Sequence, residues 1–172
     1  MLFQSESLFR KVLAQWLADN KILSQTIEMG GVDVGVPDLY FASKEPKMSG
    51  WLELKNIGRL DDVVKIPFRP GQLLWMSRFL RSGVYCALVL AHDLGVSVFS
   101  GHELRSLYSK ASVLSHCCSP DASAFVELLK GDYFHEQEDS YWISHSNVLG
   151  DFRDVCGDGI YRDYSTDDLD PN

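Results

Sequence analysis

Nowhere in its 172 residues does the sequence run apolar for about 18 positions, so it offers no helix able to span a bilayer. The opening stretch, MLFQSESLFRKVLAQ, lacks the basic start, apolar block and small-residue cleavage site of a secretory signal. The expectation is a cytoplasmic protein, in the host cytoplasm if the chain is viral. Cysteine is sparse: Cys86, Cys117, Cys118 and Cys156 form no C-x-x-C, and an adjacent pair suits no ordinary disulfide framework. Reduced thiols are expected. His116 beside Cys117 and Cys118 suggests zinc, but a spaced second pair of ligands is missing, so no zinc site is expected. No internal repeat is present.

Positive charge is also scarce, and the net charge is −8. The deficit is local. Residues 1–118 carry 13 basic and 11 acidic side chains, whereas residues 119–172 carry 3 basic and 13 acidic ones. The chain therefore divides into a domain at 1–118 and an acidic extension at 119–172. Between residues 44 and 81 lie eight Lys or Arg against four acids, a segment able to hold a phosphate backbone although the whole chain is acidic.

An apolar fraction of 45% is enough for a packed core. Leu8, Phe9, Val12, Leu13, Trp16 and Leu17 recur at helical spacing and predict an amphipathic helix over 6–18. Residues 24–34 read as irregular, with Gly30-Gly31 as a turn. Residues 35–42 and 51–55 read as a hairpin of two strands with a polar connection from Ser43 to Gly50. A charged loop follows, then a helix over 69–81 that starts near Pro70, has an apolar face of Leu73, Leu74, Met76, Phe79 and Leu80, and stops at Gly83. The continuously apolar 84–91 reads as a central strand, 95–99 as a short strand, and 101–108 as a further helix. Beyond that, a helix is expected near 121–130. This order predicts an α/β fold with a mixed sheet between helices.

In a strand, residues two apart share a face, so Glu53 and Lys55 point together while Leu52 and Leu54 point away. The hairpin brings Asp38 beside them, and the Leu54 carbonyl lies between the two polar side chains. Carboxylates converging on one point hold a divalent cation for phosphodiester hydrolysis, and a nearby lysine positions water or offsets phosphate charge. An E-x-K pair alone is more often an exposed sheet face. Glu6 opens the first helix, and Glu28, just before the strand, is its rival as an outer carboxylate. Asp33, Asp61 and Asp62 read as turn or loop residues. His92 reads as a core-edge histidine rather than a general base.

The surroundings of the pair carry a resemblance. Gly35-Val36-Pro37-Asp38, then 14 residues, then Glu53-Leu54-Lys55, resembles the PD-(D/E)XK nuclease signature. Arg69-Pro70-Gly71-Gln72 resembles its glutamine-bearing variant, found in archaeal Holliday-junction resolvases, virus-type replication-repair nucleases (VRR-NUC) and small phage nucleases. Ser5-Glu6 resembles the family's N-terminal acidic position. The resemblance covers about residues 5–100. It implies a restriction-endonuclease-like core of αβββαβ order with the acidic extension appended. It also implies a Mg2+-dependent deoxyribonuclease, with Mn2+ substituting, acting as an endonuclease on branched or otherwise structured DNA. Asp38 and Glu53, with the Leu54 carbonyl, would be metal ligands, Lys55 the catalytic lysine, Gln72 its orienting partner and Glu6 an outer carboxylate. The expected partner is DNA, with a homodimer and a protein contact through 119–172 as further expectations and no membrane partner. The competing class is a catalytically silent nuclease-fold binding or virion protein that uses its acidic extension for protein contacts.

Overall fold

The computed structural model describes residues 3–27 and 35–143. Helix α1 (Glu6–Asp19) begins where the Ser5 hydroxyl accepts the Leu8 N–H at 3.1 Å, satisfying one of the donors that a helix start leaves without a partner. Its buried stripe is Phe9, Leu13 and Leu17; Leu8, placed on that stripe by spacing, is 40% exposed. Four strands follow: β1 (Leu23–Thr26), β2 (Leu39–Ser43), β3 (Met48–Gly58) and β4 (Val63–Lys65). Helix α2 (Gln72–Arg81) then leads to β5 (Tyr85–His92) and β6 (Gly95–Ser100). After a 3-10 turn come β7 (Leu107–Ser109), α3 (Lys110–Ser115), β8 (Cys117–Cys118) and α4 (Ala122–Ile143).

The main sheet runs β1-β2-β3-β5-β6-β8. Strands β3 and β5 are parallel, joined through α2, and every other neighbouring pair is antiparallel. A mixed sheet flanked by helices is the architecture the sequence predicts. Side chains alternate across it. One face, with Leu39, Phe41, Leu52, Leu54, Ala87 and Val89, is covered by α1 and by Phe125, Val126 and Leu129 of α4. The other, with Cys86, Leu88 and Leu90, packs against Met76 of α2 and the small ribbon of β4 and β7. The first half of the acidic segment thus contributes to the core. Tyr85 anchors it further by donating its hydroxyl to the Asp132 carboxylate, and burial pushes the Tyr85 hydroxyl well above its usual range.

Several expectations change. Residues 23–26 are a strand at the sheet edge, too polar and exposed to show alternation in sequence. The predicted helix over 101–108 is a 3-10 turn and then β7, because Leu107–Ser109 pairs with Val63–Lys65, a contact no local pattern reveals. The loop read after Lys55 is partly strand: β3 runs on to Gly58, and β4 follows. On α2 only Met76 of the five expected apolar residues is fully buried, while Leu74 is 47% and Phe79 36% exposed. The helix expected near 121–130 continues to Ile143. Glu28, Asp33, the Gly30-Gly31 turn, Cys156 and the remainder of the extension from 144 lie outside the described residues. No helix among the described residues is long and apolar enough to cross a membrane.

Candidate functional site

Glu53 and Lys55 sit on β3 beneath α2, on the face that also carries Trp51. Both are buried, and the Lys55 ammonium donates to Glu53 Oε1. Asp38 precedes β2 and is buried too. Its Oδ2 accepts the Leu54 N–H at 3.0 Å, in the place a backbone carbonyl of β2 would take if the ladder continued. In an extended residue, N–H and C=O point toward the same neighbouring strand. The Leu54 carbonyl therefore faces the Asp38 side, where Pro37 has no N–H to offer it.

Two glycines bring the remaining piece. Gly35 has φ +117°, and a Cβ there would lie 2.8 Å from the Gly71 carbonyl oxygen. Only glycine permits this approach, which places the Pro37-Asp38 segment against the start of α2. Gln72, the first residue of α2, is fully buried, and its Oε1 accepts the Arg69 N–H at 2.7 Å. That bond fixes the amide and leaves Nε2 buried without a hydrogen-bond partner. Arg69 Nη2 lies 3.7 Å from Asp38 Oδ1.

Arg10 joins the site although its sequence position carries no signal beyond lying four residues after Glu6. Its Nη2 donates to Asp38 Oδ1 at 2.8 Å and lies 4.0 Å from Glu6 Oε1. Glu6 is thus set outside the buried group, next to it only through the Arg10 guanidinium.

Burial pushes Glu53 up to about 7, and the negative charge of Asp38 adds to the rise. The charge and hydrogen bond of Lys55 oppose it. Asp38 and Glu53 therefore act on one another as near neighbours. Glu53 Oε2 is buried and accepts no hydrogen bond. Among the described residues no three His, Cys, Asp or Glu side chains group as metal ligands. The candidate donors here are two carboxylates and one backbone carbonyl. His92, buried at the end of β5, meets Ser97 Oγ through Nε2 at 3.1 Å, and burial lowers its basicity. Asp61 and Asp62 are exposed before β4.

A pH dependence follows from Glu53. The folded protein keeps this proton to about pH 7, whereas the unfolded chain loses it near 4.5. The folded state binds the extra proton, so the stabilisation is fully present below pH 4.5 and is lost as pH rises to 7. Its size is about 3 kcal/mol. Thermal melts in chelator are expected to show a larger loss of stability between pH 5 and pH 8 in the wild type than in Glu53→Gln. Parallel profiles for the two proteins would show that this carboxyl is not the group responsible.

No family model matches the chain, and no curated protein does either. Among solved structures it is similar to Hjc from Archaeoglobus fulgidus, a Holliday junction resolvase from an archaeal hyperthermophile. The two share 13% identity at a TM-score of 0.51, over 64% of this chain and 93% of the resolvase. The DrdV–DNA complex, solved by electron cryomicroscopy, matches 74% of this chain and 11% of its own at 17% identity and a TM-score of 0.33, too slight a likeness to weigh. The chain therefore has the restriction-endonuclease-like fold of the resolvase, a mixed sheet between helices with Asp38, Glu53 and Lys55 gathered at one place on it.

Proposed function

We propose that the chain is a divalent-metal-dependent nuclease that hydrolyses DNA phosphodiester bonds at Asp38, Glu53 and Lys55. The observation that carries this reading is Glu53 Oε2, a carboxylate oxygen buried without any donor while a second buried carboxylate stands beside it. Such an arrangement costs stability in the empty protein and suits a cation. Two carboxylates and the Leu54 carbonyl are all oxygen donors, and Mg2+ keeps several of its waters, so this small set fits it; Mn2+ is expected to substitute. Bound there, the cation supplies Lewis-acid polarisation of the phosphate and a more acidic water.

The residues divide the remaining work. Asp38 and Glu53 hold the ion, and Arg10 keeps the Asp38 carboxylate turned toward β3. Lys55, on the same strand face as Glu53, donates to the attacking water or to charge growing on the phosphate. Gln72 directs its unpartnered Nε2 toward that water or toward the lysine, and Glu6 acts as an outer carboxylate. Likeness of fold to a resolvase supports DNA as partner and makes branched DNA the first substrate to test, with cutting inside strands rather than from ends. The described part of the acidic segment packs on the opposite sheet face, so it does not lie over Glu53. A protein contact through the segment 119–172 would use its side chains that are not packed on the sheet.

The test is a panel of labelled linear, forked and four-way DNAs incubated with Mg2+, with Mn2+ and with chelator. Internal cuts are expected only with metal, and most strongly on branched DNA. Wild-type-rate cutting in chelator, or no cutting of any member with either metal, overturns the proposal.

A further inference from the structure

Four rings form a continuous row beside the carboxylates. Tyr40 on β2 meets Trp51 on β3 at 5.1 Å between centroids, Trp51 meets Trp75 of α2 at 5.5 Å, and Trp75 stacks on Phe79 at 3.7 Å with 12° between the planes. Tyr40, Trp51 and Trp75 are half-buried, and Phe79 is 36% exposed. The row follows from the seating of α2, which packs through Met76 onto β5 and sets Trp75 against Trp51 of the neighbouring strand. Trp51 is two residues before Glu53 on the same strand face, about 7 Å along the strand. The row therefore begins at the candidate site and runs away from it along α2.

Its surroundings are mainly positive. Helix α2 carries Arg78 and Arg81 in its last turn and no acid. Arg78 lies three residues after Trp75, on adjoining helix surface, and is exposed. Lys44 and Lys47, with Glu45 between them, are exposed in the turn that joins β2 to β3, a few residues along the strands from Tyr40 and Trp51. Half-exposed π-faces beside cations that track a backbone are what unpaired nucleobases require, since each base has a π-face to stack and each linkage a negative charge.

We propose that this row is a stacking platform for unpaired bases of a DNA strand whose phosphate lies at Glu53 and Lys55. The platform rests on the nuclease reading and narrows its substrate to DNA with an unpaired segment next to the cut, such as a flap, a fork or an opened branch point. It also gives a use to Phe79, which helical spacing assigns to the core and the structure leaves 36% exposed.

The experiment measures binding apart from cleavage. Full-length protein in chelator is titrated into a labelled thymidine oligonucleotide and into a blunt duplex, following anisotropy. Trp75→Leu keeps apolar bulk but removes the π-face, and is expected to weaken oligonucleotide binding roughly ten-fold. Trp75→Phe should stay within about threefold of wild type, because a ring is retained. Phe79→Ser, with folding checked by circular dichroism, should also weaken oligonucleotide binding. Duplex affinity should be unchanged in all three. The platform is overturned if Trp75→Leu and Phe79→Ser bind the oligonucleotide as the wild type does, or if duplex binding falls equally. It is overturned too if these variants alter only the protein's sedimentation, which would assign the row to contact with a second copy of the chain. A wild type that binds the oligonucleotide through these rings but cuts no DNA of the panel with Mg2+ or Mn2+ would instead overturn the nuclease reading and leave the platform in place.

Discussion

Glu53→Gln is expected to lower the rate of DNA cleavage in Mg2+ by about three orders of magnitude or more, with the fold intact. The substitution keeps the side chain's shape in a fully buried place, so packing against β5 and α2 is undisturbed. It removes the charge that, with Asp38, draws in the cation, and every function of that cation depends on its being held. An amide also spares the protein the burial of a second negative charge beside Asp38, which is the reason Glu53 titrates at about 7. Raised stability in chelator together with lost activity is therefore the expected pair of results. Isothermal titration with Mn2+ separates the steps: the variant should bind the ion far more weakly. Cleavage near the wild-type rate, in a variant shown to be folded by circular dichroism, would sink the reading of Glu53 as a ligand.

The parts of the fold readable from sequence were those whose pattern is local. Tyr85–His92 is apolar at nearly every position and is buried at every position, so its place at the sheet centre follows from composition alone. Gly83 after α2 marks an end for a reason of backbone geometry that needs no tertiary context. Strand β1 and the β4–β7 ribbon exist only because a distant partner supplies their hydrogen bonds. Their residues, LSQT, VVK and LYS, are too few to show a period.

The site divides in the same way. The common facing of Glu53 and Lys55 follows from strand alternation, and their pairing in the structure is its direct result. Arg10 was missed because an arginine on an amphipathic helix looks like any solvated charge; what distinguishes it is reach to Asp38, 28 residues away. The aromatic row was hidden for the opposite reason. Helical spacing assigned Leu74 and Phe79 to the core, and only the seating of α2 over β5 shows how much of its apolar surface stays outside.

Lys55→Ala is expected to separate binding from chemistry. Removing one partner of a buried ion pair ordinarily strands the other charge at a cost of several kcal/mol, about 3–5. Here Glu53 has an escape. Burial and Asp38 already push its carboxyl up to about 7, so it is about half protonated at neutral pH, and Lys55 pulls the other way. Without the lysine the carboxyl takes up a proton, no bare charge is left inside, and the chain should fold. DNA affinity, measured with chelator, should stay within about threefold, since one cation among many carries a small share of the phosphate contact. Cleavage should fall by about 10²–10⁴, the usual worth of a positioned proton donor or acceptor. Lys55→Met, which fills the vacated volume, should lose activity equally, so that a packing defect in the alanine variant cannot account for the result. If both variants are unfolded by circular dichroism, Lys55 is there to hold the sheet; if both cut at the wild-type rate, its ammonium takes no part in the reaction.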